Sequence, residues 1–475
     1  QARGPSRSDL RDRTMIRVFK HYVSHAVILL GIVDFALLIL AGELAWDLRI
    51  YQIGAGSQPF AERAVAILVF AAIVMTALIG VGSYGAEALR SMRFAVARLL
   101  VAVSLGVIGV SLLDFVMQGE TFWRSVLLYA MAIAILLLVL NRLILGPMLG
   151  TSTFQRSVLV LGAGTRAERI RALARRKGGS FRVAGFIAMN DAEPVVPDAR
   201  PRGSITDFGR FVDDIGASEV VLALEERRNS LPVKDLLRVK TRGLHVIDFS
   251  GFIERETGRV DLDTLNPSWL IFSDGFSSTQ FLSSISKRIF DVVVSLLLLV
   301  LAFPVLVLFA ILIKLESPGP VFYRQTRVGL YGQHFDVVKL RSMRQDAEKD
   351  GPKWASENDP RVTRIGRIIR TVRIDEIPQA WSVLKGEMSF VGPRPERPQF
   401  VSQLENLLPY YAERHMVKPG ITGWAQINYP YGASTEDARQ KLEYDLYYAK
   451  NYSPFLDLLI LLQTVRVVLW PDGAR

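Results

Sequence analysis

Four long apolar segments fill most of the first third of the 475-residue sequence and limit how this part of the chain can fold. Each is close to the roughly 20 residues that an α-helix needs to cross the hydrocarbon core of a bilayer. The segments are Ala26–Trp46, Ala64–Tyr84, Ala95–Met117 and Ser125–Leu145. Half of all residues are hydrophobic, yet 22% are charged, which indicates membrane helices joined to sizeable soluble domains. We therefore predict four transmembrane helices within residues 21–150.

Basic residues precede the first apolar segment, follow the second and end the fourth. By the positive-inside rule, this pattern places both ends of the four-helix segment in the cytoplasm. The basic residues are Arg11, Arg13, Arg17, Lys20, Arg90, Arg93, Arg98, Arg142 and Arg156. Residues 1–20 form a basic N-terminal segment, in which Met15 would suit a native start. Asp34 lies inside the first apolar segment, and two explanations remain open: a contact with a neighbouring helix, or a role in lipid or ion handling.

The overall charge and the absence of cysteine narrow the classes of function. The net charge of +11 suits anionic lipids and phosphate-bearing substrates, and nucleic acid is not an expected partner of a chain so rich in membrane segments. Without cysteine, disulfides, thiolate metal sites and cysteine nucleophiles are excluded.

Residues 151–250 change to a pattern of short β-like and helical segments, which predicts an α/β domain with a parallel sheet. The first strand, Ser157–Leu161, leads into Gly162-x-Gly164-x-x-Ala167, a dinucleotide-type fingerprint. No acidic residue clearly ends the second strand, which weakens the fingerprint. A folding or docking role and nucleotide binding both remain open for this Rossmann-like domain.

A fifth apolar segment, Val292–Ile313, follows a connector over residues 251–284. Its length suits a transmembrane helix, but Pro304 lies near its middle, where proline removes a backbone hydrogen bond and kinks a helix. Basic residues flank both ends, so the positive-inside rule does not favour crossing. We expect residues 287–314 to form a re-entrant helix that enters one leaflet and returns. The final apolar segment, Phe455–Leu469, is short for a span and is expected to be an interfacial or core helix.

The densest polar group of the sequence surrounds Asp375-Glu376. Read alone, adjacent acids are typical of a solvated surface or a helix N-terminus. Five arginines recur every three residues just before them, and several would share a helix face: Arg361, Arg364, Arg367, Arg370 and Arg373. Cations beside two acids indicate a site for a polyanion such as a diphosphate, although contact with anionic headgroups is also compatible.

Two further clusters suggest ligand contacts. Gly392-Pro393-Arg394-Pro395 predicts a rigid turn that places one guanidinium, and Trp424 follows a glycine-rich segment where it could offer a stacking face. Each cluster alone is as typical of an ordinary loop. Together with the acids, they predict a membrane-surface site for a phosphorylated ligand.

In these motifs the chain resembles the bacterial sugar transferase family, the monotopic polyprenyl-phosphate phosphoglycosyl transferases. The resemblance covers roughly residues 284–475, and the preceding spans and α/β domain resemble the large, hexose-1-phosphate subclass. Phe303-Pro304 departs from the serine-proline pair that is frequent in the family. The motifs that carry the resemblance are Lys287-Arg288-Ile289-Phe290-Asp291, Pro304, Pro318-Gly319-Pro320, Arg327-Val328-Gly329, Lys339-Leu340-Arg341-Ser342-Met343, Asp375-Glu376-Ile377-Pro378-Gln379, Gly392-Pro393-Arg394-Pro395 and Pro419-Gly420-Ile421-Thr422-Gly423-Trp424.

The resemblance implies a membrane protein with four transmembrane helices, a Rossmann-like domain and a mainly helical catalytic domain over residues 285–475. It implies transfer of a sugar-1-phosphate from a UDP-sugar to undecaprenyl phosphate, with Asp375 as nucleophile and Glu376 as metal ligand or acid/base partner. Mg²⁺ is the implied cofactor, with Asp375 and Glu376 as its ligands. The implied substrate-binding residues are Lys339, Arg370, Arg394, Pro395 and Trp424. The implied location is the cytoplasmic face of the bacterial inner membrane.

Other readings of the sequence remain. A catalytically inactive scaffold or sensor of polysaccharide assembly would share the architecture. A nucleotide-sugar oxidoreductase or dehydratase would use the α/β domain, but residues 155–250 contain no Tyr-x-x-x-Lys pair. The sequence does not identify the sugar. A homodimer through the membrane helices and the middle domain is compatible with this organisation.

Overall fold

The computed structural model describes residues 15–18, 21–54, 59–84, 92–117, 124–149, 155–175, 181–189, 195–225, 232–265, 281–347, 359–429, 432 and 434–469. The chain divides into two compact units, Gln1–Thr257 and Gly258–Arg475. Most of the basic N-terminal segment and residues 266–280 of the predicted connector lie outside the described residues.

The first unit begins with a short antiparallel strand pair and four long apolar helices. The strands are β1 (Met15–Val18) and β2 (His21–Ser24). The helices are α1 (His25–Ile53), α2 (Phe60–Gly80), α3 (Met92–Met117) and α4 (Arg124–Leu149). Helix α1 packs against α2 and α4, and α3 packs against the same two helices. All four are long and apolar enough to cross a membrane.

Asp34 forms the polar centre of these helices. Its carboxylate is fully buried and accepts hydrogen bonds from Arg142 at 2.7 and 3.1 Å and from Asn141 at 2.7 Å. The Tyr84 hydroxyl donates a further bond at 2.8 Å. The helix–helix contact that the sequence left as one of two explanations for Asp34 is therefore present, since Asp34 lies on α1 and Arg142 on α4.

A five-stranded parallel sheet forms the rest of the first unit, in the spatial order β5-β4-β3-β6-β7. Its strands are β3 (Arg156–Leu161), β4 (Phe181–Ala188), β5 (Ala199–Pro201), β6 (Glu219–Leu222) and β7 (His245–Asp248). Its helices are α5 (Thr165–Ala174), α6 (Phe208–Asp214), α7 (Val233–Thr241) and α8 (Phe249–Thr257). One apolar cluster includes Val158, Val160 and Phe252, and a second includes Leu159, Leu161 and Phe208. Alternate residues of β3 therefore serve two cores, and the predicted parallel sheet is confirmed.

The second unit opens with a 36-residue apolar helix, α9 (Phe281–Glu316), which contains Pro304. An antiparallel hairpin follows, formed by β8 (Phe322–Val328) and β9 (His334–Leu340). The sequence showed no clean strand alternation here, because most β8 side chains are exposed and several are charged. The hairpin is therefore an element that the apolar pattern did not predict.

The remaining elements of the second unit are short, apart from two helices of 17 and 16 residues. The helices are α10 (Arg364–Thr371), α11 (Ala380–Lys385), α12 (Pro398–Leu407), α13 (Trp424–Asn428), α14 (Thr435–Asn451) and α15 (Pro454–Leu469). Two three-residue strands, β10 (Ser389–Val391) and β11 (Gly420–Thr422), pair in parallel. Leu456 and Ile460 of α15 are buried in the main core with Tyr448 of α14. The final apolar segment is thus a core helix, one of the two roles expected for it.

We expect Asp34→Asn to lower the free energy of unfolding by about 3–5 kcal/mol, because Arg142 would remain buried without a counter-charge. Thermal or denaturant unfolding in detergent measures the loss. Asp47→Asn is the matched control, since Asp47 pairs with Arg63 at 2.7 Å but is largely exposed. A loss for Asp34→Asn no larger than that for Asp47→Asn would contradict the expectation.

Candidate active site

The two adjacent acids lie in a short 3₁₀ helix, Ile374–Gln379, between α10 and α11. Arg373 precedes it with a left-handed backbone (φ 60°), which ends the run of α10 and turns the chain. Both acids are buried: Asp375 is 8% exposed and Glu376 is 7% exposed. Buried carboxylates need counter-charges or hydrogen bonds, so their partners define the site.

Glu376 is held by cations from two other elements. The Lys339 ammonium of β9 lies 3.0 Å from Glu376 Oε1, and the Arg394 guanidinium donates to the same oxygen at 2.7 Å. Arg373 is more distant, at 3.9 Å. Burial alone would raise the pKa of Glu376, but the charges of Arg394 and Lys339 hold it well below its ordinary value. Glu376 is therefore ionised and neutralised in place.

Asp375 differs from its neighbour in both contacts and titration. Its Oδ1 atom is buried and accepts no hydrogen bond from the part of the chain that the structure describes. Burial, followed by the negative charge of Glu376, raises the pKa of Asp375 above its ordinary value. The two acids thus have separate environments: one is neutralised by cations, and the other keeps an unoccupied oxygen. Such a separation allows adjacent acids to take different chemical roles.

Lys339 and Arg394 reach Glu376 from positions that are themselves fixed. Strand β9 carries Lys339, and burial lowers the pKa of this lysine although the nearby Glu376 opposes the shift. The Arg394 carbonyl accepts a hydrogen bond from Arg414 at 3.0 Å, and Arg414 is paired with buried Asp445 at 2.7 Å. No motif in the sequence indicates the Arg414–Asp445 pair, whose members lie 31 residues apart.

Two of the predicted substrate-binding residues, Pro395 and Trp424, contact other parts of the second unit rather than Glu376. The Pro395 carbonyl accepts a hydrogen bond from Arg327 at 2.9 Å. Trp424 is buried in the main core, stacks on Tyr447 and donates from Nε1 to the Gly258 carbonyl at 2.7 Å. The free stacking face suggested for Trp424 is therefore absent from this structure.

The five-arginine repeat is divided among several environments. Arg361 pairs with Asp359 before α10 begins, and Arg373 follows its end. Arg364 and Arg367 are exposed on α10. Arg370 is partly buried near the end of the helix, and its carbonyl accepts the Arg373 N–H at 3.3 Å. Only part of the expected common face therefore forms, and of these arginines Arg373 is the one paired with Glu376.

The residues fit a weakly chelated Mg²⁺ ion better than a fully protein-ligated metal. Within the described ranges, no group of three or more His, Asp or Glu side chains could hold a metal ion. Mg²⁺ is commonly held by one or two carboxylates together with substrate phosphates. The unpaired Oδ1 of Asp375 suits that role, whereas one oxygen of Glu376 is already occupied by Lys339 and Arg394.

The glycine-rich turn of the α/β domain is a separate feature of the first unit. A Cβ at Gly162 would lie 2.5 Å from the Ala223 carbonyl oxygen, so the turn requires glycine. The Glu225 carboxylate accepts the Thr165 N–H and hydroxyl, both at 2.7 Å. It thereby occupies the start of α5, a position where helices bind anions. Nucleotide binding by this turn stays a prediction.

Comparison with known proteins assigns the second unit. The family described as bacterial sugar transferase matches residues 282–471. A UDP-glucose:undecaprenyl-phosphate glucose-1-phosphate transferase of Caulobacter vibrioides is 45% identical over 192 residues, which cover 40% of this chain and 71% of that relative. The chain belongs to the bacterial sugar transferase family.

Other relatives share the same region. A UDP-N-acetylgalactosamine-undecaprenyl-phosphate N-acetylgalactosaminephosphotransferase of Aeromonas hydrophila is 45% identical over 222 residues, 47% of this chain and 52% of that relative. An undecaprenyl-phosphate glucose phosphotransferase of Komagataeibacter xylinus is 45% identical over 196 residues, 40% of this chain and 37% of that relative. The matches thus span about half of the first of these relatives and just over a third of the second.

We expect Trp424→Phe to destabilise the protein by about 1–3 kcal/mol, because the partly buried Gly258 carbonyl would lose its donor. Thermal unfolding measures the effect. Trp381→Phe is the control, since Trp381 is more than half exposed. Equal stability of the two variants would show that the Trp424 hydrogen bond and stacking contribute nothing to the core.

Proposed function

We propose that this sugar transferase moves a sugar-1-phosphate from a UDP-sugar to undecaprenyl phosphate through a covalent intermediate on Asp375. The observation that carries the proposal is the division between the two acids. Asp375 keeps a buried, unpaired oxygen, while Glu376 holds two cations beside it. A nucleophile needs a free oxygen, and a diphosphate needs nearby cations.

In the first step, an Asp375 oxygen attacks the phosphorus that bears the sugar. The bond from this phosphorus to the UMP oxygen breaks, and UMP leaves with the bonding electron pair. In the second step, an oxygen of undecaprenyl phosphate attacks the same phosphorus and displaces the Asp375 carboxylate. The products are undecaprenyl diphosphosugar and UMP, and Asp375 is restored.

The surrounding residues provide charge and orientation for both steps. Lys339 and Arg394 neutralise Glu376 and lie where they can also approach the phosphate oxygens of a bound diphosphate. When bound, Mg²⁺ would reduce the repulsion between the Asp375 carboxylate and the diphosphate. Asp375 and Glu376 would hold it through carboxylate oxygens other than the one that attacks the phosphorus.

The proposed acceptor is a membrane lipid, which agrees with the contacts of α9. Near its start, Arg288 donates to the Val383 and Leu384 carbonyls at 2.6 Å. Near its end, Ile313 packs with Leu340 and Ile369. Val383 also packs with Val337, only three residues before Leu340 on β9.

These contacts favour a bent α9 that enters and leaves the same leaflet. A straight helix would separate positions 288 and 313 by about 37 Å. Position 288 is connected to Val337 of β9 through Val383, and Ile313 packs with Leu340 of the same strand. These two β9 positions are only about 10 Å apart, so a bent helix reaches them more easily than a straight one. Between the two ends, large apolar side chains such as Leu301 and Phe303 are exposed and suit contact with lipid. We therefore place the enzyme in the bacterial inner membrane, with α1–α4 spanning it and the second unit on the cytoplasmic face.

The products suggest a place at the start of a polysaccharide repeat unit. A lipid diphosphosugar is a starting point for further glycosyl transfer, so we propose the first membrane step of exopolysaccharide, O-antigen or capsule synthesis. The relatives' names make glucose and N-acetylgalactosamine the first donors to test. The assay is UMP release from a panel of UDP-sugars with undecaprenyl phosphate; release from none of them would overturn the proposal.

We expect Asp375→Asn to reduce UMP release by about a thousandfold or more, because the amide is a poor nucleophile. Intact-protein mass spectrometry should detect a phosphosugar adduct on the wild type in the absence of acceptor, and none on the variant. Asp336→Asn is the control: Asp336 is exposed on β9, three residues from Lys339. An Asp375→Asn variant with full turnover would mean that the reaction does not pass through Asp375.

We expect single cysteines at Asp214 and Glu405 to be labelled from the same side of the membrane. Both positions are exposed, one in each unit, and the chain has no other cysteine. An impermeant maleimide applied to sealed vesicles of known orientation reads the side. Labelling of the two cysteines from opposite sides would mean that α9 crosses the bilayer.

A further inference from the structure

Strand β10 leads directly to Arg394 and therefore affects where this arginine lies. The strand has three residues and, among the described strands, pairs with β11, in the register Ser389–Gly420 and Val391–Thr422. Three residues after it, Arg394 donates to Glu376. A short strand with a single neighbour can slip or tilt unless side chains fix it.

A buried aspartate of α9 fixes the beginning of β10. Asp291 Oδ1 accepts the Ser389 hydroxyl and the Phe390 N–H, both at 2.9 Å. Asp291 and Ser389 are buried. Without the carboxylate, a buried hydroxyl and a partly buried N–H would lose their acceptor, which costs about 1–3 kcal/mol for a fully buried group. The strand would then shift to satisfy them.

A second buried group fixes the end of β10. Lys287, one turn before Asp291, donates its three protons to the Val391 carbonyl at 3.2 Å, to Tyr448 Oη at 3.1 Å and to Asp457 at 2.5 Å. Tyr448 Oη also lies 2.9 Å from the Val391 carbonyl oxygen and 2.7 Å from Asp457 Oδ1. Lysine, tyrosine and aspartate therefore form one network on the last residue of the strand.

The backbone between β10 and Arg394 is restricted, so a movement of the strand cannot be absorbed within the turn. The Gly392 N–H donates to the Thr422 carbonyl, and the Gly420 N–H donates to the Pro393 carbonyl, both at 2.9 Å. A Cβ at Gly392 would lie 2.2 Å from the Lys418 carbonyl oxygen. Because Pro393 and Pro395 also restrict the backbone, a displacement of Val391 passes on to Arg394.

We propose that Asp291 and Tyr448 are positioning residues, which hold β10 so that the Arg394 guanidinium reaches Glu376. The functional part of this inference rests on the proposed transferase activity; the structural part does not. The first turns of the membrane helix α9 thus set the position of a cation in the active site. Neither residue touches the proposed substrates.

A double-mutant cycle on UMP release tests the functional link. Asp291→Ala should lower kcat by roughly 10- to 100-fold in the wild-type background, since small misplacements of a charged group are costly. In an Arg394→Ala background the same substitution should lower kcat less than about threefold, because the group that it positions is gone. Tyr448→Phe should follow the same pattern. An equal factor in both backgrounds would overturn the proposal.

Two further variants separate positioning from general destabilisation. Asp291→Asn keeps an acceptor oxygen and should retain turnover within about threefold of the wild type. Glu443→Gln weakens a partly buried ion pair of the same unit, Glu443–Arg259, and should lower kcat by the same small factor with or without Arg394. Failure of Asp291→Asn to recover turnover, or a Glu443→Gln effect that depends on Arg394, would contradict the positioning role.

Hydrogen exchange tests the structural link without any need for activity. Amide exchange in a peptide covering residues 389–396 should rise in Asp291→Ala and in Tyr448→Phe, and stay at the wild-type level in Glu443→Gln. Unchanged exchange in the first two variants would overturn the inference. If the wild type releases no UMP from any donor, the proposed function fails, while the exchange result still decides whether these residues hold β10.

Discussion

Glu376 stays ionised in a buried position because two cations reach the same carboxylate oxygen. Burying a charge without such partners would cost several kcal/mol. The need for these cations brings three parts of the second unit into contact: the 3₁₀ helix with the acids, strand β9 with Lys339, and the turn after β10 with Arg394. It also leaves Asp375 as the acid with an unpaired oxygen. The chemistry proposed for the site follows from this difference between neighbours.

The apolar helix α9 carries polar contacts that support the site in addition to its long apolar surface. Arg288 fixes the end of α11, which directly follows the acids, and Asp291 fixes the strand that leads to Arg394. Side chains one turn apart on one helix therefore hold both halves of the site. Such an arrangement makes the catalytic geometry depend on how α9 is seated. These contacts explain why three charged residues, Lys287, Arg288 and Asp291, precede the apolar segment of the helix.

Much of the architecture could be predicted because its signals are local. Apolar length marked the long helices, and the run Ser157–Leu161 with its glycine turn marked the parallel sheet. The hairpin β8–β9 was missed because β8 is mostly exposed and both strands carry charged residues, so no clean apolar alternation marks it. The predicted helical face of five arginines forms only in part, because α10 ends at Thr371 and Arg373 has a left-handed backbone.

The candidate site divides in the same way. Asp375, Glu376, Lys339 and Arg394 could be singled out from motifs, and the structure brings them together. The core position of Trp424 depends on Tyr447 and Gly258, which are distant in sequence and unmarked by any pattern. Long-range partners of this kind also explain why the Arg414–Asp445 pair and the contacts of Asp291 were not foreseen.

The Asp34–Arg142 pair has a consequence for how the protein is made. The partners are 108 residues apart, on the first and fourth helices. At roughly 5–20 residues per second, the ribosome needs about 5–20 s to supply Arg142 after Asp34 has been synthesised. During that interval the acid of the first helix lacks the cation that neutralises it in the folded protein. The first helix therefore makes its final contacts only after the fourth has been synthesised, which makes the order of synthesis part of how the four helices assemble.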